Sequence, residues 1–394
     1  MREPEKTLVG VRVLAALNGL ELFGHERGNI EVLKALRRLG ADVVLGVNAK
    51  PNNHVKDELQ RLGFNTFPVP FGPQWSIQWV RKNPTIAVTN FLAVLRCSWI
   101  FHRVIRDFCP SHIHLGSSLV YSYLSIALGL SKVPLVYRMG DAPPIDSRFN
   151  LRIWRMAMRR TTRLVGNSEY VRRTARQAGA RDATVIYNLA PSSNIEPEQD
   201  QEIVDQSCVI RLVYVGAVSE HKGLVPLMDA FARLALDYSS LHLDVVGGSR
   251  YDTVFRKHLQ ALISASHLDD RVTFHGQVID PASLYRRADI HLAPSMWEEP
   301  AANVVFEAKC VGTPSIVFPS GGLPEMVRHQ VDGYICRDKS VDALVEGLQW
   351  MLADPVRLRR MGEAARADSE ARFGLERFAR EWANVYNAVE GAQP

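Results

Sequence analysis

Trp297-Glu298-Glu299-Pro300-Ala301-Ala302-Asn303-Val304-Val305-Phe306-Glu307-Ala308 is a polar turn that runs into an apolar helix. Short apolar runs stand on either side, Ile290–Ala293 and Ser315–Phe318, and both read as strands. Strand, turn, helix and strand together form the repeating unit of a parallel sheet covered by helices. The stretch also holds two carboxylates eight residues apart, Glu299 in the turn and Glu307 in the helix. A helical path between them would rise about 12 Å and leave them about 80° apart in azimuth. That separation suits the two ends of one elongated polar ligand. It does not suit two carboxylates acting on a single bond, which need roughly 5–10 Å between them. In isolation the pair reads as a surface Glu favoured by a helix dipole plus an unrelated helical Glu; the rest of the chain decides between the two.

The same alternation extends outward through nearly the whole sequence. Toward the N-terminus the strand candidates are Val9–Ala15, Asp42–Val47, His112–His114, Leu135–Tyr137, Arg163–Val165 and Ala183–Tyr187. Helical periodicity separates them at Ile30–Leu39, Thr85–Phe108, Leu119–Leu130, Leu151–Arg160 and Glu169–Ala178. In the second half, strands at Ile210–Val215, Leu241–Val246, Val272–Phe274 and Gly333–Ile335 join the two already named. Helices are expected near Val225–Leu236, Thr253–His267, Pro281–Arg286, Val304–Val311 and Val341–Ala353. The rhythm breaks in the polar segment Asn188–Ser207, which reads as a linker. The expected class is α/β, with two doubly wound Rossmann-like domains facing a cleft, over 1–188 and 209–370, joined by a linker at 189–208. A C-terminal helix over 371–394, with apolar residues at spacings of three and four, is expected to pack back on the first domain.

Composition narrows the function. Of 394 residues, 46% are hydrophobic and 23% charged, the balance of a globular protein. The net charge of +5 is mild and suits an anionic ligand or surface. No recognition helix, zinc finger or RNA-stacking signature accompanies it, so nucleic acid is not an expected partner. The five cysteines show no metal-ligand or CxxC spacing and read as reduced thiols of a cytoplasmic protein. No apolar run reaches spanning length, and Leu8–Leu20, interrupted by Arg12, reads as strand and loop instead of a signal peptide.

Several loops are built for anions or for close backbone approach. Leu212-Val213-Tyr214-Val215-Gly216-Ala217-Val218-Ser219-Glu220-His221-Lys222-Gly223 is a strand, a Gly turn, a Lys and a helix start. Such a turn meets phosphate through helix amides and a lysine point charge, or is an ordinary turn with a solvated Lys. It is not a Walker A loop. Val245-Val246-Gly247-Gly248 ends the next strand and admits a base or ribose, or makes a simple tight turn. Ser320-Gly321-Gly322-Leu323-Pro324-Glu325 is a second permissive loop, with Glu325 meeting a hydroxyl or capping a helix. Near the N-terminus, Gly19 to Gly28 is long for a strand-to-helix connection, and long loops carry function. Its His25 and Arg27 either meet phosphate or are exposed polar residues at a helix start.

With these elements in order, the chain resembles the retaining glycosyltransferases of family 4, which have the GT-B fold. The resemblance covers almost the whole sequence and is strongest from 210 to 336. Glu299 and Glu307 match the E-x7-E element, between Pro294-Ser295 and Gly312-Thr313-Pro314. Val272-Thr273-Phe274-His275-Gly276, Ala288-Asp289, Gly321-Gly322-Leu323-Pro324-Glu325 with Asp332-Gly333-Tyr334, and Gly24-His25-Glu26-Arg27 are similar to the family as well. The resemblance implies a nucleoside-diphosphate sugar, UDP- or GDP-linked, as co-substrate, with no other cofactor and no metal. Glu299 would bind donor-sugar hydroxyls, assisted by amides around Ala301, Ala302 and Asn303. Glu307 would hold the ribose. Lys222 would stabilise the leaving diphosphate, with Gly24 and Gly216 bringing backbone to the phosphates. Gly247, Gly322, Glu325 and Arg27 complete the expected donor site. The catalytic set is Glu299, Lys222 and Asp141.

Three positions depart from the family pattern. Ala217 stands where an Arg is frequent, so Arg27 or Arg138 would replace it as a diphosphate ligand. Gly140 stands where a His is frequent, with Asp141 as the substitute group. Phe23 replaces one of two paired glycines. His25, Arg138 and Asp141 are the expected acceptor contacts. The acceptor would be a glycan or a polyprenyl-linked glycan of bacterial surface polysaccharide assembly. Trp75–Arg106 interleaves aromatic and basic residues, and Arg152, Arg155, Arg159 and Arg163 recur at helical spacing. These stretches suit an anionic membrane surface, and otherwise a core helix with a solvated basic face. The expected location is the cytoplasm, at the inner face of the cell membrane. Two other readings share the architecture: a non-catalytic nucleotide-sugar binder, and another GT-B enzyme such as a nucleotide-sugar epimerase or sugar-phosphate synthase.

Overall fold

The computed structural model describes residues 7–72, 85–190, 209–248, 253–278 and 280–390. The expected linker lies largely outside them, at 191–208, as do Trp75, Trp79, Arg81 and Lys82. The chain divides into two compact units, one of 1–188 with 376–394 and one of 189–375.

Unit 1 runs β1 (Arg12–Leu17), α1 (Gly24–Arg38), β2 (Asp42–Asn48), α2 (His54–Arg61), β3 (Asn65–Val69), α3 (Thr85–Phe108), β4 (His112–Leu115), α4 (Ser118–Leu130), β5 (Leu135–Met139), α5 (Arg148–Arg160), β6 (Arg163–Gly166), α6 (Glu169–Gln177) and β7 (Thr184–Val185). Its strands form a parallel seven-stranded sheet in the order β3-β2-β1-β4-β5-β6-β7. Unit 2 runs β8 (Ile210–Val215), α7 (Leu224–Asp237), β9 (Leu241–Val246), α8 (Thr253–Ala265), β10 (Val272–Gly276), α9 (Ala282–Arg287), β11 (Ile290–Ala293), α10 (Asn303–Cys310), β12 (Ser315–Val317), α11 (Leu323–Met326), β13 (Gly333–Ile335), α12 (Val341–Leu352) and α13 (Pro355–Phe373). Its parallel sheet has the order β10-β9-β8-β11-β12-β13. The last helix, α14 (Leu375–Glu390), packs in unit 1, where Tyr386 Oη lies 2.8 Å from His114 Nδ1 and Arg163 donates to the Ala388 carbonyl at 3.2 Å.

Each sheet is wound both ways from its middle, and central strands such as β4, β5 and β11 are buried at every residue. Helices cover both faces, so even the polar residues of these strands, His112, His114, Arg138 and His291, are buried. The direction of winding reverses between β1 and β4 in unit 1 and between β8 and β11 in unit 2. Loops leaving the carboxyl ends of those strands flank the crevice in which such sheets hold ligands.

Three elements were not expected from the sequence, and one strand starts late. β3 carries Pro68 and polar residues, which a central strand does not tolerate; it survives because it is an edge strand. α2 is short, and α13 has few apolar residues, so neither shows a strong stripe. β1 begins at Arg12 and not Val9, because Gly10 turns the chain at φ +89° and leaves Val9 exposed.

Two histidines tie stability to pH. His114 in β4 and His291 in β11 are fully buried, and burial pushes both imidazoles down to about 3 from 6.5. Between those values the unfolded chain binds a proton that the folded chain refuses. The stability they contribute is therefore complete above pH 6.5 and lost as pH falls toward 3. At pH 5 each unit should be about 2 kcal/mol less stable than at pH 7 from this source. Urea unfolding at the two pH values, followed by probes in each unit, tests this. Equal midpoints would contradict it.

Candidate functional site

In unit 2 the loop after β8 and the loop after β11 meet because their strands are neighbours. The first makes a 3-10 turn over Glu220–Lys222 and enters α7 through Gly223 at φ +77°. The second carries Pro294 to Ala302 into α10. The His221 carbonyl accepts hydrogen bonds from the backbone N–H of Met296 (3.0 Å) and Trp297 (3.1 Å), which stitches the two loops together. Across this seam the Lys222 ammonium pairs directly with Glu299 Oε1. Ser295 Oγ donates to the same oxygen at 2.9 Å. Glu299 is only 8% exposed, so its orientation is set by these two partners and by little solvent.

The third loop, after β12, closes on the same glutamate. Gly322 N–H donates to the Glu299 carbonyl at 2.7 Å. Gly321 is left-handed at φ +56°, and a Cβ there would lie 2.3 Å from that carbonyl oxygen, so only glycine admits the approach. Glu298 fastens the turn from its other side, accepting from Gly321 N–H at 2.6 Å and from Lys339 Nζ at 2.5 Å. Gly247, at the end of β9, is equally constrained, since a Cβ would lie 1.7 Å from the Gly216 carbonyl. Tyr214 Oη donates to the Ala217 carbonyl at 2.8 Å and so fixes the turn in which Ala217 sits.

Glu307 projects from α10, and its Oε2 accepts from Tyr285 Oη at 3.0 Å. Two residues on, Lys309 is fully buried and anchors the helix: its ammonium meets the Met326 carbonyl at 2.8 Å, Asp368 at 2.5 Å and Asp332 at 3.2 Å. A buried ammonium is tolerated only with such a complete set of partners. Glu325 lies in α11, and its carbonyl accepts from Arg372 at 2.5 Å.

Helix starts differ by place. α2, α4, α5, α6, α12 and α13 are capped by Asn, Ser or Asp side chains. α1, α7, α9, α10 and α11 have Phe23, Gly223, Pro281, Ala302 and Gly322 at the N-cap and no side-chain cap. Three of them, α1, α7 and α10, are entered from β1, β8 and β11, beside the winding reversals, and their positive ends suit an anion.

In unit 1, Gly24, His25 and Arg27 occupy the first turn of α1. His25 Nδ1 lies 3.4 Å from Asp141 Oδ2 in the loop after β5. The adjacent His25 imidazole, with the charge of Arg138, holds the Asp141 carboxyl below the usual range. Burial raises the neighbouring Glu26. Arg138 is 3% exposed and donates to Asn188 Oδ1 at 2.7 Å, while burial lowers its guanidinium to about 10. It lies under α1, where a Cβ on Gly28 would approach Nη2 to 2.3 Å. The expected acceptor contact Arg138 is thus a buried support, and His25 and Asp141 are the groups toward the surface. A Cβ at Gly140 would lie 2.8 Å from His25 Nδ1, so the absence of a side chain there is what admits the imidazole.

Residues 197–368 match the family model described as glycosyl transferases group 1, and residues 23–188 match the glycosyl transferase 4-like domain. The chain belongs to glycosyltransferase family 4. Its fold is GT-B: the crystal structure of Anabaena HepE in complex with UDP superimposes with a TM-score of 0.78 at 21% identity, over 96% of this chain and 100% of that one. An uncharacterized glycosyltransferase of Haemophilus influenzae is 27% identical over 201 residues, 51% of this chain and 54% of that protein. The lipopolysaccharide 1,2-N-acetylglucosaminetransferase of Salmonella typhimurium is 28% identical over 199 residues, 49% and 51% of the two lengths. The family-4 chain spans about half the length of the curated relatives it matches. Its relatives therefore include proteins of bacterial glycan biosynthesis.

Sequence reading of this glycosyltransferase-family chain missed four supports: Ser295, Tyr285, Asn188 and the Lys309 cluster. Only Ser295 left a trace, as part of Pro294-Ser295 before the glutamate turn. Among the described residues no three His, Cys, Asp or Glu side chains group to hold a metal ion.

Proposed function

We propose that this chain is a retaining, metal-independent glycosyltransferase. It moves a sugar from a nucleoside-diphosphate donor to a hydroxyl of a glycan or lipid-linked acceptor, in bacterial surface polysaccharide assembly at the inner face of the cell membrane. The observation that carries the reading is the Lys222–Glu299–Ser295 contact at the seam of the β8 and β11 loops, beside the uncapped start of α10. Glu299 accepts from donor-sugar hydroxyls, with the amides near Ala301, Ala302 and Asn303 assisting. Glu307 holds the ribose hydroxyls. Gly216, Gly247, Gly322 and Glu325 border the nucleotide, and Gly24 and Arg27 are proposed as phosphate contacts.

In the reaction the bond from the anomeric carbon to the diphosphate oxygen breaks. The acceptor oxygen bonds to that carbon on the same face. The acceptor proton passes to the leaving diphosphate, so no separate base is needed. The Lys222 ammonium and the helix amides stabilise the charge that grows on the leaving group, the largest kind of contribution a fixed polar site makes. His25 and Asp141 orient the acceptor hydroxyl. Asp141 stays ionised through the neutral range and so accepts a hydrogen bond from it.

Thermal-shift measurements with UDP-, GDP- and ADP-sugars test the donor assignment, with UDP-sugars first because HepE was captured with UDP. A donor at 100 times its Kd should add about 2.7 kcal/mol to stability through binding linkage. If none of the three raises the transition, the assignment fails. Binding without transfer or donor hydrolysis would favour the non-catalytic reading, for which Ala217 and Gly140 are the motive.

A further inference from the structure

We propose that the outer face of the α3–α4–α5 layer of unit 1 docks on an anionic lipid bilayer. α3 is apolar on two opposite sides. Val94, Cys97 and Phe101 face the core. Val88, Phe91, Leu92, Leu95 and Trp99 recur at spacings of three and four on the other side and are exposed, Leu92 at 57% and Trp99 at 64%. A helix that buries one apolar stripe and leaves a second in water has a second partner. α3 packs on α4 and α4 on α5, so the three lie side by side. α4 extends the surface with Ile126 and with Leu130, which is 70% exposed.

Charge selects the partner. Arg96, Arg103 and Arg106 on α3, and Arg152 and Arg159 on α5, are exposed on the same three-helix layer. Asp107 is the sole acidic residue on the three helices, against this group of arginines. In a two-fold dimer through this face one arginine-bearing surface would meet the same surface of the second copy, because such an interface is self-complementary. An anionic headgroup layer instead neutralises them while the aromatic and aliphatic side chains enter the acyl boundary. No helix among the described residues is long and apolar enough to cross a membrane, so the face lies on the surface and does not span it. The inference deepens the proposed function, because it sets unit 1 against the surface from which a lipid-linked acceptor is presented.

Co-sedimentation of the full chain with vesicles reads docking whether or not a donor binds, so this proposal and the donor assignment fail separately. Vesicles of phosphatidylcholine with about 30% phosphatidylglycerol should bind at least about tenfold more tightly than phosphatidylcholine alone, and salt should weaken the binding. Leu92→Ser/Leu95→Ser/Trp99→Ser should lower it about tenfold or more, as should Arg96→Glu/Arg103→Glu/Arg152→Glu. Both variants should keep the wild-type circular dichroism and donor-induced thermal shift. Trp99→Ser alone, with a smaller loss, replaces the triple variant if that one does not fold. Absence of wild-type binding to anionic vesicles overturns the proposal, as does a folded variant that sediments like wild type. A wild-type dimer that the triple variant dissolves also overturns it, by assigning the face to a second copy.

Discussion

Glu299→Ala lowers sugar transfer about 10²- to 10³-fold, the loss expected when one fixed polar partner is removed from a reacting centre. The carboxylate is almost wholly buried and has two anchors, the Lys222 ammonium and the Ser295 hydroxyl. Its removal takes away the proposed acceptor for donor-sugar hydroxyls and leaves the lysine without its anion. Lys222→Ala should fall in the same range, because it frees Glu299 to turn and removes the charge proposed to meet the diphosphate. Since the two side chains act as a unit, the double variant should lose much less than the product of the single losses. Steady-state rates with a saturating donor measure all three. Full additivity would show that the ion pair is incidental, and unchanged transfer by Glu299→Ala would remove the central assignment. Glu299→Gln keeps the shape but not the charge, and it should retain more donor affinity than the alanine variant.

Gly223→Ala destabilises unit 2 by about 3–5 kcal/mol, in the range reserved for a named steric failure. Two effects combine. The residue is left-handed at φ +77°, which costs a side chain about 1–2 kcal/mol. A Cβ would also lie 1.7 Å from the carbonyl oxygen of Pro294, which is backbone and cannot turn aside. The β8 and β11 loops must then part, and Lys222 moves away from Glu299 with them. Gly276 supplies the control within the same unit. It has φ +69°, but a Cβ there would meet nothing within 4 Å. Gly276→Ala should therefore cost only about 1–2 kcal/mol. Denaturant unfolding of both variants separates conformational strain from collision. Equal losses would mean that the loop seam is soft, and that the site is not held rigid by it.

The alternation of short, largely apolar runs and helical periods was enough to give both parallel sheets, because strands covered on both faces favour apolar residues and a covering helix carries a stripe. Strands Ile210–Val215, Leu241–Val246, Ile290–Ala293 and Gly333–Ile335 have the limits expected from their residues. Where the pattern weakened, legibility did too. Pro68 hid an edge strand, and the polar surface of α13 hid a helix of 19 residues. The same holds at the site. Glu299, Glu307 and Lys222 stood out because glycine, proline and charge mark a loop suited to an anion. Ser295 and Tyr285 did not, since a serine or a tyrosine near a strand has many ordinary uses.

By itself, then, the sequence determined two doubly wound α/β units, the polar turns that follow their strands, and the glutamates and lysine that stand in those turns and the helix after them. These are local properties, written in periodicity and in residues a few positions apart. The tertiary structure decided what touches what. Lys222 and Glu299 pair across 77 positions because β8 and β11 are neighbours in the sheet order. His25 reaches Asp141 because Gly140 leaves the space empty of a side chain. Arg138 became a buried support and the far side of α3 stayed bare because burial depends on which elements pack together. No spacing along the chain encodes that neighbourhood; it exists only once the strands have found their order.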